Sequence, residues 1–172
     1  MRMTRKKTIV FILCLIIAAM LLAYLVFTTM TSIPTTLYLD PQTPKSAVGQ
    51  DFSINISISS VVDLYGWQLQ LSWNKTILDV LNVTEGPFLK SGGNSPFFYY
   101  NLNATAGQMT VECTRLGSVP GESGSGVLAT IRFNVTSSGE CDLHLYGAML
   151  LNSSTPPKPI ATTVKSGKFS ST

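Results

Sequence analysis

The one histidine of the chain, His144 in "DLHLY", decides how much chemistry the sequence supports. A serine nucleophile needs a histidine base and an orienting acid, and no serine sits in a nucleophile-elbow pattern. A lone imidazole with no neighbouring His or Cys ligands offers no zinc spacing, so it reads as a surface residue on the strand face opposite Leu143 and Leu145. The Gly- and Ser-rich "GESGSG" lacks the lysine and helix start of a phosphate loop and reads as a flexible turn. Nine dispersed acids could bring two carboxylates together only by folding, and no pair is marked by its spacing. The expectation is a binding module, with no catalytic residue, metal or cofactor.

A second set of residues points to covalent modification. N-x-S/T occurs at Asn55, Asn74, Asn82, Asn103, Asn134 and Asn152, the acceptor pattern for N-glycosylation of an exported chain. Alternation turns Asn55, Asn82 and Asn134 away from their apolar neighbours and toward solvent.

The N-terminus carries the export signal. Arg2, Arg5, Lys6 and Lys7 precede an uncharged run from Thr8 to Phe27. A helix of about 20 residues is about 30 Å long, the hydrocarbon thickness of a bilayer. A clear A-x-A cleavage site is missing from "LVFTTMTS", which favours an uncleaved signal anchor over a signal peptide. The expected organisation is a cytoplasmic basic tail at 1–7, a transmembrane segment at 8–30, a linker at 31–36 and an extracellular domain at 37–172, in a single-pass protein of the cell membrane. Without the tail, eight cations face nine acids, so the net charge of +3 says nothing about nucleic acid. Cys113 and Cys141 would sit in an oxidising compartment, where they could pair or serve as small buried hydrophobes.

Beyond Leu37 the apolar period is two. "FSINISIS" places Phe52, Ile54, Ile56 and Ile58 on one side, "WQLQLSW" places Trp67, Leu69, Leu71 and Trp73 inward, and "MTVEC" and "ATIRFNV" repeat the pattern. Segments such as "DPQTPKSAVGQ" and "NSSTPPKP" separate these runs with turn residues. Short strands with one apolar face each predict two antiparallel sheets packed on one another, with both tryptophans in the packing.

The ordered motifs "VGQDFSINISI", "YGWQLQLSWNKTILDVLNVTEG", "FFYYNLNATAGQMTVECTRLG", "SGVLATIRFNVTSSG", "DLHLYGAMLLN" and "ATTVKSGKFS" resemble a cohesin domain over residues 37 to 170. The resemblance implies an all-β, nine-stranded jelly-roll sandwich after the transmembrane helix. Counted along the chain, its strands run 8-3-6-5 in one sheet and 9-1-2-7-4 in the other. It also implies that a dockerin-bearing or other secreted protein docks on the 8-3-6-5 face, with any calcium belonging to the dockerin. By alternation the candidate contacts are Gln68, Gln70, Tyr99, Asn101, Thr110, Glu112, Thr114, Asp142, His144 and Tyr146. Gly66 and Gln68 stand where many members carry Asn and Asp. The same resemblance puts Asn55, Asn82 and Asn134 on the other sheet, and Asn103 at the edge of the docking face. An adhesive module for polysaccharide and a glycosylated envelope subunit are the competing classes. Only Tyr99, Tyr146 and Phe97 are available as an outward aromatic strip for sugar rings.

Overall fold

The computed structural model describes residues 14–22, 33–93 and 95–172. Residues 14–22 are helical and belong to a unit ending at Ile33. No helix among the described residues is long and apolar enough to cross a membrane. The expected tail at 1–7 and most of the expected span at 8–30 lie outside the described residues.

The second unit, Pro34–Thr172, is built of strands. In chain order they are β1 (Thr35–Asp40), β2 (Lys45–Ser46), β3 (Asp51–Ser72), β4 (Leu78–Glu85), β5 (Phe97–Asn103), β6 (Gln108–Thr114), β7 (Glu122–Val135), β8 (Glu140–Asn152), β9 (Thr162–Lys165) and β10 (Gly167–Ser171). A short 3-10 turn, Phe88–Gly93, precedes β5.

β3 is the organising element. Its first half, 51–59, pairs with β1 and β7, while its second half, 64–72, pairs with β6 and β8. One layer therefore runs β9, β1, first half of β3, β7, β4, and the other runs β2, β10, β8, second half of β3, β6, β5. Counting the halves of β3 as strands two and three, the first layer has the expected order 9-1-2-7-4. The second contains the expected 8-3-6-5 but continues beyond strand eight with β10, because the last strand is split between the layers as β9 and β10. The two-residue β2 adds a parallel edge to β10.

The join between layers is a bend at residues 60–63, where Ser60 and Asp63 take positive φ of 55° and 60°. Left-handed backbone costs a non-glycine residue about 1–2 kcal/mol, and the neighbouring chain offsets that cost. Ser60 N–H donates to Ser125 Oγ at 3.1 Å and Asp63 N–H donates to Ser123 Oγ at 2.9 Å. The Asp63 carboxylate accepts from Gly121 N–H at 2.8 Å and from Ser153 Oγ at 2.7 Å. "GESGSG" is thus not a free turn: Glu122–Gly126 open β7 and follow the bend, with Val61 opposite Gly124 and Leu64 opposite Glu122. A Cβ at 126 would stand 2.7 Å from Phe88 Cδ2, so any larger residue there would displace that ring. Alternate serines then point their hydroxyls at orphan amides that a flexible loop would leave to water.

The inward faces of both layers meet in one core. Phe52 stacks on Phe133 and on Phe169 with ring centroids 5.5 and 4.9 Å apart, and Trp73 meets Phe133 edge-on at 5.6 Å. Both tryptophans are buried as expected. Trp73 Nε1–H donates to Leu78 O at 2.9 Å, while the Trp67 indole N–H has no acceptor among the described residues. Leu81 departs from its expected inward position, because a bulge between Val80 and Asn82 leaves it exposed.

Cys113 and Cys141 are both buried and free. Of the two sequence alternatives, the structure holds the buried-hydrophobe one. Burial, with the nearby Glu85 carboxylate, pushes the Cys113 thiol up to about 12, and burial raises Cys141 as well. Because the thiolate is the reactive species, Cys113 and Cys141 are expected to resist a thiol-specific reagent at pH 8 in the folded chain. Both should react after denaturation; immediate labelling of either in the native protein would contradict their placement.

Hydrogen bonds from Ser153, ahead of that from Gly121, hold the Asp63 carboxyl below the usual carboxylate range. A depressed folded-state pKa contributes stability above the unfolded value and loses it as pH falls through the folded one. Asp63→Asn should therefore destabilise the domain by about 1–2 kcal/mol at pH 7, the scale of hydrogen bonds to a charged group. The difference from wild type should shrink on acidification below about pH 4. Urea melts at pH 7 and pH 3 check both statements.

Candidate docking face

The outer surface of the β8–β3–β6–β5 layer is set by register. Reading across β5, β6, β3 and β8, Phe97 lies beside Thr114, Gly66 and Leu151; Tyr99 beside Glu112, Gln68 and Met149; and Asn101 beside Thr110, Gln70 and Tyr146. Asn103, Gln108, Ser72 and His144 complete a fourth row. All ten sequence-predicted contact residues lie on this one surface, with Asp142 beyond His144 on β8. Gln68, Tyr99, Asn101, Asp142 and His144 are exposed, and Gln70, Thr110, Glu112, Thr114 and Tyr146 are half-buried.

Strand alternation alone would have continued outward from Tyr146 to Ala148 and Leu150. Instead Gly147, at φ 59°, carries a bulge, so that Gln70 faces Tyr146 while Gln68 faces Met149. The bulge shifts the phase of β8 by one residue. Leu150 turns into the core and Met149, 57% exposed, turns onto the face. Met149 and Leu151 were missed from sequence, although a glycine inside "HLYGAML" is the signal of such a shift.

The first row forms a hollow of about 350 Å³ because Gly66 contributes no side chain. Phe97, Met149 and Leu151 wall it, and Gln68, Glu112 and Thr114 supply polar groups at its margin. A Cβ at position 66 would stand 3.1 Å from Thr114 Oγ1. A shallower hollow of about 270 Å³ lies between Gln70, Asn101, Thr110 and Tyr146.

His144 stacks on Tyr146 with ring centroids 5.4 Å apart, and its Nδ1 lies 3.3 Å from Ser166 Oγ. Ser166 Oγ also accepts from Leu145 N–H at 3.0 Å. The Asp142 carboxylate makes no hydrogen bond to that ring among the described residues. No group of His, Cys, Asp and Glu among the described residues is arranged to hold a metal ion.

The sequons divide by location. Asn55, Asn82 and Asn134 lie on the outer surface of the other layer, in register with Thr130, Arg132 and Asp51 respectively. Asn55 Oδ1 accepts from Thr130 Oγ1 at 2.8 Å, and Asn134 Nδ2 donates to Asp51 Oδ1 at 2.9 Å. Asn74, Asn103 and Asn152 sit at strand ends, each with its own sequon hydroxyl donating to the Asn Oδ1: Thr76 at 2.8 Å, Thr105 at 2.8 Å and Ser154 at 2.7 Å.

The model of the cohesin domain matches residues 38–170. The chain belongs to the cohesin family. Solved cohesins share the fold at low identity. The non-cellulosomal cohesin from the hyperthermophilic archaeon Archaeoglobus fulgidus has 21% identity and a TM-score of 0.67, with 81% of this chain and 91% of that one covered. The sixth cohesin of scaffoldin B from Acetivibrio cellulolyticus, solved in complex with a mutant Cel5 dockerin, has 18% identity and a TM-score of 0.66 over 81% and 99% of the two chains. A type I cohesin–dockerin complex from Clostridium thermocellum gives 15% identity and a TM-score of 0.67 over 81% and 95%. No curated protein matches this chain by sequence. Cohesins are non-catalytic binding modules.

The bulge yields a prediction for this cohesin. A β-branched residue at left-handed φ is strained, so Gly147→Val should destabilise the domain by about 1–2 kcal/mol in urea unfolding. The Met149 methyl resonance should also move as the β8 phase is disturbed. An unshifted methyl and an unchanged midpoint would contradict the bulge.

Proposed function

We propose that this cohesin is a cell-surface receptor that captures a dockerin-bearing protein on the face carrying Gln68, Tyr99 and Glu112. The observation that carries the reading is the gathering of ten outward polar and aromatic side chains, together with an apolar hollow, on the one layer that lacks Asn55, Asn82 and Asn134. Relatives solved with dockerins support the partner class. The capture is noncovalent. Rigid sheet backbone holds the side chains in fixed rows, so a helical partner loses little of its gain to ordering the receptor. Tyr99 and Tyr146 act as aromatic anchors, and Gln68, Gln70, Asn101 and the threonines set register through hydrogen bonds.

The basic residues at 2–7 and the apolar run at 8–30 support a membrane tether, with the domain outside the cell and close to its own bilayer. Glycans on Asn55, Asn82 and Asn134 would cover the opposite layer and leave the docking face open. A sugar on Asn103 would stand in the fourth row, at the edge of the docking face, and sugars on Asn74 and Asn152 would sit at other strand ends.

The test is titration of the full chain with dockerin-bearing proteins from the same genome, in calcium. Tyr99→Ala should weaken capture about 30-fold, the effect of a hot-spot loss of about 2 kcal/mol, and Gln68→Arg should weaken it by clash, while Asn82→Gln leaves it unchanged. Binding that ignores both face variants, or that tracks insoluble polysaccharide instead, would refute the docking assignment.

A further inference from the structure

Glu112 stands half-buried in the middle of the proposed docking face, between Gln68 and Tyr99 in register and on the margin of the Gly66 hollow. Neither it nor Asp142 takes part in an ion pair among the described residues. The cations that do pair are committed elsewhere: Lys90 to Glu85, Arg115 to Glu122, Arg132 to Asp51 and Lys168 to Glu140. Any partner that covers the face strips water from the Glu112 carboxylate, and an uncompensated buried charge costs several kcal/mol. An uncharged contact surface is therefore disfavoured at this point, and an acidic one more so.

The surroundings narrow the compensating group further. Phe97 and Met149 are 54% and 57% exposed beside the carboxylate, and the missing side chain at Gly66 opens the space between them. A site with apolar walls and one carboxylate at its rim matches a side chain with an aliphatic stem and a cationic tip. Granting that this face docks a partner, we infer that the captured module presents a lysine or arginine whose stem fills the Gly66 hollow and whose charged head pairs with Glu112. Arginine gains the most there, since its planar head can bond the carboxylate with two N–H groups while lying against the Phe97 ring.

A display library of two-helix, calcium-loop dockerin modules with a randomised helix surface, selected on the full-length chain in detergent, tests this directly. Selected modules should share a basic residue at one position. Glu112→Gln should weaken them about tenfold or more, the scale of a lost charge-assisted hydrogen bond. Gly66→Val, which adds bulk to the hollow beside Thr114, should weaken the same modules at an unchanged melting temperature, and Asn82→Gln should not. Selection on the Glu112→Lys chain should replace the basic residue with an acidic one. Modules that bind through Gln68 and Tyr99 yet carry no shared basic residue, or that ignore Glu112→Gln when its melting temperature is unchanged, would overturn the inference and leave the docking reading standing. Failure to select any module would remove both.

Discussion

The structure depends on the bend in β3. One strand of 22 residues serves both layers, and the two left-handed residues at its corner would unravel it if their amides were left without acceptors. Ser123 and Ser125 supply those acceptors, and the Asp63 carboxylate ties the corner to Gly121 and Ser153. Because the strand turns as it changes layer, the side chains flanking Ile54 and those flanking Leu69 reach opposite outer surfaces of the sandwich. Asn55 and Gln68, only thirteen positions apart in sequence, are thereby assigned to different faces. That geometry separates the sequons at Asn55, Asn82 and Asn134 from the proposed docking surface, whose edge carries the sequon at Asn103.

The proposed docking face owes its relief to two glycines with different reasons. Gly66 removes a side chain and opens a hollow beside Thr114. Gly147 accepts a conformation strained for other residues and so rotates Met149 outward. Together they place apolar walls next to an unpaired carboxylate on an otherwise polar sheet. A flat strand surface thus gains a point where shape and charge can distinguish one partner from another.

Much of this was legible because a period of two is unambiguous when strands are regular. Ile54, Leu69, Val111 and Phe133 were placed inward by alternation and are fully buried, and the ten candidate contacts fall on one surface for the same reason. The layer assignment of Asn55, Asn82 and Asn134 came from the family resemblance, since sequence period alone says nothing about which strands share a sheet. Alternation failed wherever the backbone slipped phase: at the Gly147 bulge, which hid Met149 and Leu151, and at the β4 bulge, which exposes Leu81. "GESGSG" was misread because its glycines and serines look like a loop until the bend they accompany is known. The acceptors at Ser123 and Ser125 are long-range partners of residues sixty or more positions earlier, and no local rule links them. The pairing state of Cys113 and Cys141 was likewise a tertiary question.

The central claim is that the two surfaces reached by β3 have different roles, recognition on the side of Gln68 and none on the side of Asn55. Single cysteines placed at 55, 68, 82, 99, 112 and 134 can each be labelled with maleimide in the full chain, with and without a saturating dockerin-bearing partner. The account predicts protection at 68, 99 and 112 and unchanged labelling at 55, 82 and 134. Protection at the second set, or equal labelling throughout in a formed complex, would contradict it.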